Sequence, residues 1–534
     1  MIVRKYSSLM PARNVVHMLA WLFFILSALN ALYFVLRASN PVIEADAWYF
    51  LDVFLRKALN GSLGLADFFV KRRSDDHSQP LFKLLLLFNW RYFDLDFVLD
   101  SVVGLMAAVA CALIYYRLVI SERLQGKSDT LRYLAWAAIC AVLVSLNSIG
   151  VWTWSLVALE NVTTLIILLF VLAAWHAHRY RRYLALVIAT LLLGISSDDS
   201  ALIAVLAVGL ALLLAQLGDP AQRHRSTWKT FAVIGACMVL VRVGYACLPH
   251  PHSATVPPIL SPLYEHFREG GWWQWIFLPL VLPVYYQNPF GPAHTHVWLA
   301  VQVVMAVLLF IAHVLFWRRA LCCKYNLPVF TAVSMMLLTY GWVVGIILWR
   351  ASIFGNDYLN QPRYVLLYAG HLIALLLMWA CSTEQLPQLT IWRRLMNTWI
   401  PVAGCLILLT MQIPQSVAAW HMRKYEWVYY AAMARQIDNL AIDPVHATDC
   451  AQVQPACGML PEARSRLTQL LSENQRNVFS PRVQQRHKYL PPLLPVPPRK
   501  PVTAASDARK HHSEKLSRAC LQVRTVQSKA KVVG

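Results

Sequence analysis

The stretch HMLAWLFFILSALNALYFVL, residues 17–36, decides the fold. It is twenty residues long and free of Asp, Glu, Lys and Arg. A helix rising about 1.5 Å per residue would make it about 30 Å long, the thickness of a bilayer's hydrocarbon core. Arg4, Lys5 and Arg13 precede it, and Arg37 follows without a small-residue cleavage site. The segment therefore reads as a retained span and not as a signal peptide.

Ten further apolar windows lie downstream: 97–116, 133–150, 155–175, 183–197, 201–217, 230–248, 297–316, 328–349, 364–381 and 398–417. The expected fold is an all-α, polytopic transmembrane helical bundle of about 11 spans. Two windows, 183–197 and 201–217, are short and meet at Ser196-Ser197-Asp198-Asp199-Ser200, a hairpin with a polar tip. Composition agrees with this reading. Of 534 residues, 58% are hydrophobic and 14% charged, where a soluble protein carries about a quarter charged. A large water-soluble enzyme, a disordered chain and a collagen-like chain are excluded. The 20 Trp and 22 Tyr suit membrane–water interfaces.

A net charge of +21 would ordinarily raise nucleic acid as a partner. Residues 418–534 alone hold 18 Lys and Arg against 8 Asp and Glu, and much of the remaining excess lies in short loops between spans. No nucleic acid is expected as a partner. Arg117, Arg123, Lys127 and Arg132 fall on one side, followed there by Arg179, Arg181 and Arg182. Arg223, Arg225, Lys229, Arg318, Arg319, Lys324, Arg393 and Arg394 continue the series. The short opposite loops hold none, and 248–296 holds only Arg268. By the positive-inside rule the N-terminus is cytoplasmic, and an odd span count places the C-terminus outside.

The expected layout is a cytoplasmic N-terminus (1–16), a transmembrane domain (17–417) with a long first external loop (38–96), a small external helical region (418–480) and a Pro-rich basic tail (481–534) without fixed structure. In the external region, 420–440 and 461–473 have helical patterns. Cys450 and Cys457 either close a small disulfide loop, if that region is outside, or stay as two thiols. Cys322 and Cys323 beside Lys324 read as juxtamembrane packing or acylation candidates. The stretch GWWQWIFLPLVLPVYY, 271–286, is broken by prolines and reads as a re-entrant or surface element.

Ionisable groups near membrane depth are costly, so each is a functional candidate. In the loop 38–96, Trp48, Leu51, Phe54, Leu55 and Leu59 have helical spacing, with Glu44 and Asp46 at the start, and suggest a helix along the membrane surface. A second half-apolar helix starts at Pro80 and runs to about Phe93. Between them Lys71, Arg72, Arg73, Asp75, Asp76 and His77 mix cations, carboxylates and an imidazole. That mixture suits an anionic ligand plus an acid–base group, although the basic run alone reads first as a solvated loop. Glu160, Asp198, Asp199, Arg242 and Arg363 sit at the same expected face. Each also has a plain structural reading: snorkelling for the arginines, a helix N-cap for the aspartates, an interhelical pair for Glu160.

The chain resembles the bacterial GT-C superfamily of polytopic glycosyltransferases, which use polyprenyl-phosphate sugars. The order of one span, a long outer loop with an early acidic residue, many spans and an outer C-terminal region carries this resemblance. Locally, SDDHSQPLFKLLLLFNWRYFDLDF looks like the Asn-Glu-His-Arg segment of GT-C-like proteins, with Asp76-His77 as the acidic–His pair and Ser78 in place of Arg. QPRYVLLY resembles their Ser-Arg-Tyr start of a late span, with Pro362 in place of Ser, and LTQLLSENQRNVF resembles their closing helix. The similarity covers most of 15–480. It implies an inverting transfer of sugar from a polyprenyl-phosphate donor to a saccharide, lipid or protein acceptor at the outer face of the inner membrane. Asp46 matches the catalytic acidic position, with Glu44 the competing candidate. Arg363, with Arg242 or Arg73 behind it, would bind the donor phosphate. Asp75, Asp76 and His77 would shape the acceptor site or hold a divalent cation; no other cofactor is implied. A transporter or flippase of lipid-linked saccharides, or a polymerase or non-catalytic component of envelope assembly, are the competing classes.

Overall fold

One of the more enclosed span candidates is also one of the shortest. The helix Asp129–Leu143 has 15 residues, and all but one from Ala135 to Leu143 are buried. At about 1.5 Å per residue it is about 22 Å long, short of a hydrocarbon core of about 30 Å. It is tolerated because protein, not lipid, surrounds it. The chain then continues as irregular backbone at 144–149, where Val144, Leu146, Asn147 and Ser148 are all buried. Non-helical backbone at membrane depth is stable only where protein side chains satisfy it.

The computed structural model describes residues 10–70, 79–121, 129–218, 225–248, 260–286, 295–381, 398–445 and 459–488. These form helices without strands. In chain order the main helices are α1 (Met10–Ala38), α2 (residues 47–59), α3 (Pro80–Tyr92), α4 (Val98–Ser121), α5 (Asp129–Leu143), α6 (Glu160–Tyr180), α7 (Leu184–Ser196) and α8 (Asp198–Gly218). They continue with α9 (Arg225–Ala246), α10 (Leu260–Arg268), α11 (Trp272–Val281), α12 (Thr295–Cys322), α13 (Leu327–Phe354), α14 (Tyr364–Cys381), α15 (Ile400–Ile442) and α16 (Pro461–Glu473). Among the described residues nine helices are long and apolar enough to cross a membrane. The other two expected spans are α5 and the 13-residue α7. The chain is an all-α, multi-pass membrane bundle.

α5 packs against α1, α4, α14 and α15, and α13 packs against α8 and α14. Trp136 of α5 donates to the Ala112 carbonyl of α4 at 3.0 Å. Asn30 of α1 bridges α15, donating to Ser416 at 3.1 Å and accepting from Trp420 at 3.0 Å. α15 corrects the expectation of a span followed by a separate amphipathic helix. It is one 43-residue helix that passes through Pro414. Its length of about 65 Å is about twice a hydrocarbon core, so its second half stands clear of the layer that its first half crosses.

That projecting half explains a second difference. The apolar face of α2 does not lie on lipid. Trp48, Leu51, Phe54 and Leu55 are buried in a second core with Tyr430, Met433, Ile437 and Leu440 of α15 and Leu467 and Leu471 of α16. Asn477 stitches this core together. Its Nδ2 donates to the carbonyls of Pro41 (2.8 Å) and Leu95 (2.6 Å), and its Oδ1 accepts from Ile43 N at 3.1 Å. It sits at φ +53°, a left-handed conformation that asparagine accepts more readily than most residues. Asp94 and Asp96 add ionic ties. Arg476 pairs with Asp94, Arg486 reaches Asp96 at 2.8 Å, and His487 lies 2.9 Å from the same carboxylate. Asn477→Ala strands two buried carbonyls and an N–H, and should cost about 2–4 kcal/mol of this core's stability, read as a lower midpoint of thermal or protease-detected unfolding. Asn477→Asp should cost more, because a carboxylate oxygen would face the two carbonyls.

Candidate functional site

The irregular segment after α5 organises the site. Ser145 donates to Gln415 of α15 at 2.9 Å, and Gln415 donates to the Val284 carbonyl at 2.8 Å. Asn147 donates to the carbonyls of Leu282 (2.9 Å) and Pro283 (3.1 Å) and accepts from Tyr286 N at 2.8 Å. These amides satisfy the backbone of 282–286. The stretch 271–286 is therefore a short helix, α11, followed by a turn whose polar groups are met by protein side chains.

From this base the segment meets the start of α14. Ser148 donates to the Pro362 carbonyl at 3.0 Å, and a Cβ added at Gly150 would lie 2.8 Å from Pro362 Cβ. Glycine is required for this approach. It brings Trp154 beneath Arg363. The Arg363 guanidinium lies over the rings of Trp154 (5.6 Å), Tyr358 (5.2 Å) and Tyr364 (5.1 Å), and its Nη2 donates to the Tyr358 hydroxyl. Arg350 of α13 acts on the same Tyr364 hydroxyl. Arg363 Nε and Trp154 Nε1 are both buried and have no hydrogen-bond partner. Two unsatisfied donors, one cationic, at an aromatic wall fit a phosphate or carboxylate group.

On the other side the segment meets the loop after α1. Ser39 donates to the Trp152 carbonyl at 2.6 Å and Asn40 N to the Thr153 carbonyl at 3.0 Å. Glu44 follows, before Ala45, whose φ of +47° is a strained conformation for alanine. Glu44 keeps some accessible surface while protein surrounds it, as expected of a side chain in a recess. Desolvation raises its pKa from 4.5 to about 8 and nearby Glu426 pushes the same way, while the Asn40 side chain opposes the rise. The Tyr430 hydroxyl donates to Glu426 Oε2 at 2.8 Å and is faced by Thr153.

Further along, Leu156, Leu159 and Glu160 line a cavity of about 730 Å³. Its other walls are Phe82, Leu85, Phe88 and Tyr92 of α3, with Arg91 and Gln79, Val103 of α4, and Ser196, Ser197 and Ser200 of the α7–α8 hairpin. The volume and apolar walls suit a lipid chain or a drug-sized ligand. Close backbone packing fixes one wall, since a Cβ at Gly104 would meet the Ala158 carbonyl oxygen at 2.1 Å.

Residues 153–160 thus bond the loop that carries a recessed carboxyl, lie under an arginine with a spare donor and line an apolar cavity. Among the sequence candidates, Glu44, Glu160 and Arg363 border this segment. Asp46 sits at the first turn of α2, its carbonyl accepting from Tyr49 N at 3.1 Å. Arg242 lies on α9, which packs on α6 and α7 and reaches Ile195 and Phe69 through Tyr245. Arg73, Asp75, Asp76 and His77, and Cys450 and Cys457, lie outside the described residues, as do the side chains of Asp198 and Asp199, whose backbone opens α8. Among the described residues no group of three or more His, Cys, Asp or Glu could hold a metal ion, and the cysteines there are free. Lys83 fastens the backbone at 67–70: its buried Nζ donates to the carbonyls of Asp67, Phe68 and Val70 at 2.7–3.0 Å.

Glu426, Tyr430, Trp154, Tyr358 and Arg350 were not legible as site residues. The i,i+4 spacing of Glu426 and Tyr430 places them on one helix face, and was the one signal available. Fold and site together define a multi-pass helical membrane protein with a recessed carboxyl and an arginine enclosed by aromatic rings. No known protein family, no curated protein and no solved structure matches the chain.

Proposed function

We propose that the protein is an integral-membrane, inverting glycosyltransferase of GT-C type. It moves a sugar from a polyprenyl-phosphate donor to a cell-envelope acceptor at the outer face of a bacterial inner membrane. One observation carries the reading: the segment 153–160 bonds the Glu44 loop through Thr153, lies under Arg363 through Trp154 and lines the apolar cavity from Leu156 to Glu160. The lipid chain lies in the cavity and its phosphate at Arg363 and Trp154. Glu44 takes the proton of the acceptor hydroxyl as its oxygen bonds the sugar's anomeric carbon. The bond from that carbon to the phosphate oxygen breaks, and the electron pair stays on the phosphate, where Arg363 stabilises it. Glu44 is favoured over Asp46 because its recess holds its pKa close to neutral pH, where a general base works best.

The full chain, purified and supplied with radiolabelled polyprenyl-phosphate sugar and membrane-extracted acceptors, should release polyprenyl phosphate and label the acceptor. Label that crosses a vesicle bilayer with its lipid link intact would instead establish the transporter reading. A periplasm-active reporter fused after Lys488 should be active; activity only of a cytoplasmic reporter would reverse the orientation.

A further inference from the structure

We propose that His313 and His371 form a proton-binding site at membrane depth, holding one proton between them and loaded through Tyr340. The proposal stands apart from the transferase reading, which does not use these residues. His313 lies on α12, Tyr340 on α13 and His371 on α14, and both imidazoles are buried. Counted at about 1.5 Å per residue from Cys322, Leu327 and Cys381, the three are about 14–20 Å inside the bundle. Ionisable groups at such depth are rare and mark proton or ion pathways.

The hydrogen bonds give the chain a direction. Trp317 Nε1 can only donate, and does so to the Tyr340 oxygen at 3.1 Å. Tyr340 lies 2.6 Å from His313 Nδ1, and His313 Nε2 lies 3.1 Å from His371 Nδ1. His371 Nε2 is buried without a close hydrogen bond, and the carbonyls of Leu280 and Pro279 are the backbone partners that the ring faces. Pro283, four residues beyond Pro279, has no N–H to offer that carbonyl. Facing carbonyls require Nε2 of His371 to carry hydrogen. Its Nδ1 is then the acceptor, His313 carries hydrogen on Nε2, and Tyr340 donates to His313 Nδ1.

A proton arriving at the Tyr340 oxygen replaces the hydroxyl hydrogen that passes to His313 Nδ1. The resulting imidazolium can hand its Nε2 hydrogen to His371 Nδ1, so one O–H bond and one N–H bond are exchanged without net loss. On His371 the charge meets the carbonyls of Leu280 and Pro279. A second proton is opposed by the first, with the ring centroids 5.1 Å apart. Around the pair stand α8, α11 and α14 against α12, and α4, α5, α12, α13 and α15 against α14. Among the described titratable groups of these helices, Tyr340 is the one bonded to the pair, and the charge acting on His371 is His313 itself. Arg318 and Arg319 of α12 lie about 8–9 Å along its axis toward the helix end.

The test is a pH titration by nitrogen NMR of the full chain, labelled with 15N-histidine and reconstituted in lipid, with His313→Gln and His371→Gln used to assign the two rings. At neutral pH both rings should carry hydrogen on Nε2. On acidification between about pH 8 and pH 3 they should titrate together, taking up one proton per chain. Either single substitution should lower the uptake pH of the remaining ring by about one unit or more, and the double substitution should abolish the uptake. If His371→Gln prevents folding, His313→Gln alone still reports the shift in His371. Titration of each ring unaffected by its partner, Nδ1–H tautomers, or no uptake in that range would each overturn the proposal.

Discussion

Glu44→Gln should lower sugar transfer by about 10²–10⁴-fold, the usual contribution of a general base, while the protein still inserts and accumulates. Glutamine keeps the shape and cannot take a proton. In the native protein the rate should rise with pH until about 8, because Glu44 must lose its proton to act and burial holds that proton on. The same shift acts on stability with a fixed sign. Between 4.5 and about 8 the unfolded chain has lost a proton that the folded chain keeps. The stability conferred is complete below 4.5 and is lost as pH rises through about 8. Glu44→Gln, always neutral, should therefore be more stable than the native protein near pH 8, by a few kcal/mol at most since the side chain keeps some contact with solvent, and equal to it near pH 4. Thermal unfolding at the two pH values reads this without any assay of activity. Asp46→Asn is the comparison. A loss of transfer from Asp46→Asn matched by full activity in Glu44→Gln would move the base two residues on, and full activity in both would remove it from this loop.

How far the sequence carried the fold follows from what each helix buries. Runs such as 17–36, 297–316 and 328–349 are apolar over most of their length and lie within single long helices, so hydropathy alone places them. α5 is different: its window looked like an ordinary span to 150, but its last third is irregular backbone fastened by Asn147 and Ser148. Hydropathy cannot register which polar residues are satisfied by distant carbonyls. α15 failed in the opposite direction. Its charged residues beyond Trp420 read as a new amphipathic element, yet they continue one helix because α2 and α16 cover its second apolar face.

The site divides along the same line. A carboxylate or arginine at membrane depth is conspicuous, which is why Glu44, Glu160 and Arg363 were visible as candidates. Their partners were not, because nothing local distinguishes Trp154 from the other tryptophans. It becomes a site residue only through the approach of Gly150 to Pro362. The choice between Glu44 and Asp46 likewise depended on which carboxyl is desolvated, with Glu426, some 380 residues away in sequence, pushing the same way.

Arg363→Ala is expected to weaken use of the donor by about 10–100-fold, the worth of about 1.5–3 kcal/mol for a hydrogen bond to a charged group. The loss should fall on KM for the lipid-linked donor if the phosphate is held equally before and during transfer. It should fall on kcat if Arg363 acts chiefly on the phosphate as it departs. Arg363→Lys should recover only part, since an ammonium offers a point charge where the guanidinium offers a planar fork that also stacks on Trp154, Tyr358 and Tyr364. Trp154→Phe isolates the second donor. It keeps the ring under the guanidinium, removes Nε1, and should cost about tenfold or less. Arg242→Ala, on α9, should leave donor handling close to native. A purely structural role for Arg363 makes a different set of outcomes. The guanidinium would then only tie the start of α14 to three aromatic rings, Arg363→Ala would lower the unfolding temperature, and the surviving folded fraction would use donor with native KM and kcat. The buried, unpartnered Nε argues against that role, because a group fixed solely for packing gains nothing from a stranded donor.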